Sequence, residues 1–299
     1  MKQWVIIGIV GTALGCGDSA ATGGSTGSGG ADGGGDSAGA PGNGGESGDG
    51  GESGAGGDGG GVPIPTEHFS FFVTSLQAMQ ELSGSELGFG GDLRFGETGP
   101  GAGLRGADKI CATIADMSMP GASGKQWRAF LSATDDGSGN QLDAIDRVGE
   151  GPWYDRLGRV VALSKDDLLG ERPNNADAAI VDDLPNEDGV PNHQPDPTMD
   201  EVDNHHILTG TDEEGLLRSA SSTCADWTSS ATDVGQPRVG LSWPREGGSG
   251  GGAKNWMSAL DESGCAPGVN LVQSGGPGDD GTVGSGGGYG GLYCFALLP

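Results

Sequence analysis

Between Asp182 and Asn204 the chain concentrates carboxylates: Asp182, Asp183, Glu187, Asp188, Asp196, Asp200, Glu201 and Asp203, interspersed with Asn186, Asn192 and Asn204. Hard oxygen donors at this density suit calcium, which takes roughly 6 to 8 of them, so these side chains are the first metal-ligand candidates. The spacing around Gly189 is not that of an EF-hand, and a calcium ion here would need a cage of the loop's own making. His193, His205 and His206 stand in or beside the same stretch. Neutral imidazoles with a nearby carboxylate suit zinc. Successive side chains of a strand point to opposite faces, so if Ile207-Leu208 continues a strand through His205 and His206, the two rings cannot share one ion. The expectation is then one histidine buried and hydrogen-bonded.

Other chemistry is sparse. The tether repeats Gly45-Glu46-Ser47-Gly48 and Gly51-Glu52-Ser53-Gly54 superficially resemble a nucleophile elbow but have neither the preceding strand nor the following helix that an elbow requires. No His-Glu-x-x-His, phosphate-binding loop or Ser/His/Asp order is present, and the chain is read as a non-enzyme. Trp256 and Tyr289, each in a Gly-rich segment, are the aromatic faces expected to stack on a ligand.

Lys2 and the apolar run Trp4 to Leu14 form a core that suits a signal peptide and falls short of the roughly 20 residues needed to span a bilayer. The run ends in Ala13-Leu14-Gly15-Cys16, which resembles the lipobox of bacterial lipoproteins and implies acylation at Cys16. From 17 to 61 the chain is almost wholly Gly, Ser, Ala, Asp and Glu, without an aromatic, Lys or Arg. Such a segment cannot bury enough surface to order itself, and it reads as a disordered tether with a reach of about 35 to 40 Å.

With Cys16 set aside, Cys111, Cys224, Cys265 and Cys294 remain. An even number in an exported chain implies two disulfides, with three connectivities open to the sequence alone. The irregular intervals and the absence of a Cys-x-x-Cys pair argue against a cysteine-zinc site.

Four ordered motifs resemble the endostatin domain of collagens, a variant of the C-type lectin-like fold. They are Gly103-Leu104-Arg105-Gly106-Ala107-Asp108-Lys109-Ile110-Cys111, Trp127-Arg128-Ala129-Phe130-Leu131-Ser132, Leu163-Ser164-Lys165-Asp166-Asp167-Leu168-Leu169, and Gly210-Thr211-Asp212 followed by Cys224-Ala225-Asp226-Trp227. The resemblance runs from about Phe69 to Phe295, interrupted by the acidic insertion. It implies nested disulfides, Cys111 with Cys294 and Cys224 with Cys265. The family's zinc histidines have no counterpart at 62–66, and only His68 and Asp166 correspond to parts of that site. Gln194-Pro195-Asp196 is similar to the calcium-binding tripeptide of sugar-binding C-type lectins, but Asn255-Trp256-Met257-Ser258 and Asp261 stand where their Trp-Asn-Asp would be.

The elements that must position these residues read as follows. Phe69 to Val73 is a first strand. A helix opens at Gly106-Ala107-Asp108 with Ile110, Cys111, Ile114 and Met117 on its core stripe. Trp127 to Leu131 is a short buried strand and Asn140 to Val148 a capped helical turn, with further strands at Val160 to Leu163, Arg238 to Trp243 and Leu292 to Leu297. The expected organisation is a lipoprotein signal peptide (1–16), a tether (17–61) and one α+β, endostatin-like/C-type lectin-like domain with two disulfides (62–299).

Forty-two acidic against 15 basic residues, a formal net charge of -27, repel nucleic acid and anionic lipid and favour a cationic partner or a metal. The functional expectation is a binding module anchored in the cell envelope through lipid, at the outer membrane or cell surface. It would recognise an extracellular polymer, glycan or protein, with calcium as the candidate cofactor. Two other readings stand beside it: a structural envelope component, and a metal-dependent enzyme built on His193, His205 or His206.

Overall fold

A computed structural model describes residues 68–193, 202–244, 255–272 and 278–298. Every described residue belongs to one compact unit. Cys16, the tether, and Asp196, Asp200 and Glu201 of the acidic segment lie outside the described residues.

The unit is mixed α/β. In chain order it contains β1 (Phe71–Val73), α1 (Leu76–Ser83), α2 (Ala102–Ser118), β2 (Trp127–Ala129), α3 (Ala144–Arg147), β3 (Trp153–Tyr154), β4 (Val160–Ala162), α4 (Lys165–Leu168), β5 (His206–Leu208), β6 (Arg238–Leu241), β7 (Leu260–Asp261) and β8 (Gly288–Ala296). β8 is the hub. All nine of its residues are buried, as expected of a strand covered on both faces. β1 lies antiparallel to it with Phe71 opposite Phe295. β2 pairs with its 294–296 stretch and β5 runs parallel along 288–292. The sheet continues through β6 to β7, while β3 and β4 form a separate hairpin.

Alternation along the strands sorts the core into two layers. Phe72 and Cys294 join Ile110, Cys111, Ile114, Trp127 and Trp227 on one side. Phe71, Tyr293 and Phe295 join Phe130, Trp153 and Trp256 on the other, which is the period-two consequence of the pleat. α2 supplies most of the first layer. It begins at Ala102, four residues before the anticipated start, and Met117 is not core but 45% exposed. Its cause is rotational: Ile110, Cys111 and Ile114 already fill the buried stripe, and Met117 falls at the stripe's edge near the helix end.

Helix α1 was not anticipated although its punctuation is in the sequence. The Ser75 hydroxyl accepts from the Ala78 amide at 3.1 Å and Gly84 closes the helix at φ 66°, the cap and stop that a short helix needs.

Two disulfides staple the layers, Cys111–Cys294 with Cα atoms 5.5 Å apart and Cys224–Cys265 at 5.7 Å, the pairing that the resemblance implied. The first ties α2 to β8 across a separation of 183 residues and the second spans 41. By loop closure these contribute about 5 and about 4 kcal/mol.

The motif residues have structural work. Gly106 lies on α2 where an added Cβ would stand 2.1 Å from the Leu93 carbonyl oxygen. Asp108 receives both Arg147 Nη2 contacts, at 2.8 and 2.9 Å, and accepts from the Ala129 amide. Cys224, Ala225, Asp226 and Trp227 all have positive φ, between 47° and 64°, a left-handed turn that costs about 1 to 2 kcal/mol per residue. It is held by the Cys224 disulfide, by Trp227 Nε1 donating to Ser132 O, and by Asp226 accepting from the Thr134 amide and hydroxyl.

Candidate functional site

The acidic segment does not converge on a cage among the described residues. Glu187 is buried and both its oxygens are engaged by Ser75, one by the amide at 2.9 Å and one by the hydroxyl at 2.5 Å. It therefore caps α1. Its carboxyl is pushed up, chiefly by burial and against those hydrogen bonds. Asp183 accepts from the His193 amide at 3.0 Å, and burial raises its carboxyl to about 6. Asp182 and Asp188 are exposed. For the described carboxylates the calcium reading is corrected, because Glu187 and Asp183 satisfy amides and a hydroxyl of neighbouring segments and Asp182 and Asp188 join no group with metal-holding geometry; Asp196, Asp200 and Glu201 lie outside the described residues. Among the described carboxylates of the segment, only Asp203 joins a group with metal-holding geometry.

That group is Asp203, His205 and His206, one ligand atom from each lying within 4.8 Å of the others. All three are buried, at 0%, 2% and 2% exposure. The expectation that the two histidines face apart is overturned. β5 begins only at His206, and its register against β8 shifts between His206 and Ile207, so strict alternation does not extend back through His205. The rings lie face to face, centroids 4.5 Å apart and planes 10° from parallel.

Each ring is oriented by a second partner. His205 Nδ1 lies 3.1 Å from the Trp243 carbonyl oxygen, and its Nε2 lies 3.0 Å from Asp203 Oδ1. His206 Nδ1 lies 2.6 Å from Glu262 Oε1. The other Glu262 oxygen accepts from the Ser285 hydroxyl at 2.6 Å and the Gly286 amide at 2.7 Å. The backbone packs closely around them: the amide of His206 donates to Gly287 O and that of Asp203 to Leu271 O. A Cβ on Gly287 would stand 2.4 Å from Asp203 Cγ, and one on Gly286 would stand 2.6 Å from His206 Cε1.

Trp243 extends this cluster into a column of rings, 4.3 Å from His205 on one side and 3.9 Å from His193 on the other. His193 is thus separated from the two other histidines by an indole and does not join their group; burial lowers its imidazole's basicity. His68 is exposed against Tyr154, with centroids 5.3 Å apart, Asp166 is exposed too, and neither enters the cluster.

Trp256 and Tyr289 are likewise corrected as ligand platforms, since both are fully buried. The indole of Trp256 donates to Leu168 O and packs on Phe130 and Tyr293. The Tyr289 hydroxyl donates to Thr74 O at 2.6 Å, and burial raises its phenol far above the ordinary value. Gly-rich neighbours suggested open loops; here the missing side chains instead let backbone close over the rings.

A groove of about 480 Å³ opens beside the cluster, between α1, the end of α2 and the acidic segment. Leu76, Ile114, Met117, Val202 and Leu271 give it an apolar floor. Glu81, Glu187 and Asp188 give it negative charge, and among the described residues no Lys or Arg lines it. Asn192 and Asn204, which also line it, brace each other by Asn204 Nδ2 donating to Asn192 O at 2.7 Å and Asn192 Nδ2 to Asn204 O at 3.3 Å.

Sequence reasoning missed Glu262 as a site residue. The stretch Glu262-Ser263-Gly264 repeats the Glu-Ser-Gly of the tether, so composition disguised a buried carboxylate as linker. No family model matches this chain, and no curated protein matches it.

Proposed function

We propose that this chain is a lipid-anchored binding module of the cell envelope, held at Cys16 and carried on its tether. Its folded unit is an endostatin-like domain of the C-type lectin-like class, and its groove receives a basic, partly apolar segment of an extracellular protein. The scaffold reading rests on the four motifs, whose residues make the contacts described above, and on the nested disulfides. The anchor reading rests on the lipobox resemblance. Among the described residues no helix is long and apolar enough to cross a membrane.

The observation that carries the ligand class is the groove lining, an apolar floor rimmed by Glu81, Glu187 and Asp188 without a cation among the described residues, on a chain of net charge -27. Charge complementarity of this kind raises the rate of encounter and selects against anionic partners. Among the described residues the groove lining holds no aromatic side chain, so these residues offer no face for stacking on a sugar ring. Binding without turnover is the activity that this lining supports.

Fluorescence anisotropy of the full chain in detergent, against a labelled Lys/Leu peptide, its Glu/Leu counterpart and a neutral oligosaccharide, tests this. The expected result is saturable binding of the basic peptide alone, weakened by salt and weakened several-fold further by Glu81→Lys, an exposed position on α1. Equal binding of all three probes, or an affinity indifferent to Glu81→Lys, refutes the groove as the site.

A further inference from the structure

We infer that Asp203, His205 and His206 form a buried zinc(II) site, with Glu262 and the Trp243 carbonyl as the groups that orient its ligands. The inference is independent of what occupies the groove. It starts from the proton positions that the contacts impose. A carbonyl oxygen can only accept, so the 3.1 Å contact from His205 Nδ1 to Trp243 O places a proton on Nδ1. In the neutral ring, Nε2 then carries a lone pair, and that lone pair faces the Asp203 carboxylate at 3.0 Å.

The same reasoning applies to His206. Glu262 accepts from Ser285 and Gly286 through one oxygen and meets His206 Nδ1 through the other at 2.6 Å. Nδ1 is therefore the protonated nitrogen and Nε2 the electron-pair donor. A ring N–H held by a carboxylate or a backbone carbonyl, with the opposite nitrogen free for an ion, is the usual outer-shell arrangement of metal-bound histidine.

A lone pair facing a carboxylate is an arrangement that a shared cation reconciles, since one ion takes the His205 Nε2 pair and an Asp203 oxygen together. The two rings lie face to face, 4.5 Å apart and 10° from parallel, and one ligand atom from each of the three residues lies within 4.8 Å of the others, in an interior where all three are no more than 2% exposed. A single dication there would be held by Asp203 and two neutral imidazoles, with Glu262 behind His206. Two imidazole nitrogens and one carboxylate oxygen are a donor set that suits zinc. The Gly286-Gly287 turn provides the close approach, because a Cβ on either residue would collide with His206 or Asp203.

The test is metal stoichiometry of the full chain, stripped with a chelator, reloaded with zinc and dialysed. One retained zinc per chain is expected, with X-ray absorption showing two imidazole nitrogens and carboxylate or solvent oxygen around it. His205→Ala and His206→Ala should each lose the retained ion. Glu262→Gln should keep the stoichiometry but weaken affinity about 10- to 100-fold, the usual effect of removing an outer-shell partner. Failure of the wild-type chain to retain zinc overturns the inference in favour of protonated histidine–carboxylate pairs. Retention undiminished in both alanine variants, or a first shell without imidazole, overturns it as well. The wild-type absorption spectrum decides the matter even if the alanine variants do not fold.

Discussion

Replacing Arg147 with Met isolates one interaction on which the whole unit should depend. Arg147 is 5% exposed, and its Nη2 contacts both oxygens of Asp108, at 2.8 and 2.9 Å, while Nη1 donates to Ala129 O at 2.6 Å. Asp108 lies on α2, Ala129 on β2 and Arg147 on α3, so the guanidinium joins three elements. Met keeps much of the volume but leaves a buried carboxylate without its closest counter-charge. Breaking a buried pair in this way costs about 3 to 5 kcal/mol. Arg128, 3.6 Å from Asp108 Oδ2 and 36% exposed, remains as a partial substitute and places the expectation near about 3 kcal/mol. Burial already raises the Asp108 carboxyl, and Arg147 is the strongest opposing influence. Removing Arg147 should raise it further. A carboxyl whose folded value is raised destabilises the fold progressively as pH climbs from its unfolded to its folded value, and the loss is relieved as pH falls back through that interval. The variant's deficit should therefore shrink on acidification, and Asp108→Asn in the Arg147→Met background should recover part of it at neutral pH. Urea unfolding followed by tryptophan fluorescence at neutral and acidic pH reads both. A deficit below about 1 kcal/mol, or one that grows on acidification, would refute the argument.

Two further outcomes follow from the same physical reasoning. Gly106→Ala should destabilise the domain even though alanine is the better helix former by about 1 kcal/mol, because its Cβ would stand 2.1 to 2.3 Å from the backbone of Leu93 and Arg94; thermal unfolding reads the sign, and stabilisation would refute the close approach. Asp183, whose carboxyl burial raises from 3.8 to about 6, should lower wild-type stability as pH climbs through that interval, so Asp183→Asn should be the more stable protein at pH 7.5, with the difference vanishing near pH 4; parallel denaturation curves at the two pH values would refute it.

The parts legible in the sequence were those with a local signal or a full motif. Burial of Ile110, Cys111 and Ile114 follows from helical spacing, and β1, β2, β4 and β6 from short apolar runs. The disulfide pairing was legible only through the resemblance, since spacing leaves three connectivities open. What misled was composition. Asp183 and Glu187 read as calcium ligands because carboxylate density carries no information about whether a distant amide, such as that of Ser75, will take the oxygens first. His205 and His206 read as opposed because alternation presumes a regular strand, and the register shift after His206 depends on β8, about eighty residues downstream. β8 itself extends back to Gly288, four residues before the anticipated start, because glycines hide a strand from any propensity argument.

Glycine therefore has two opposite meanings in this chain. In the 17–61 segment it accompanies an absence of large apolar side chains, the composition that reads as a tether. In the 284–291 stretch it accompanies burial: Gly286 and Gly287 lie against His206 and Asp203, and Gly288 is paired with His206 across the sheet. The compositional rule that separates linker from domain fails at the place where the candidate metal ligands are assembled. The same cluster bears on the groove, because Val202 and Asn204 belong to its lining while Asp203, between them, belongs to the histidine group. A change at Gly287 should therefore reach the histidine group first: a side chain there would have to displace the Asp203 carboxylate, whose backbone stands between two residues of the groove wall.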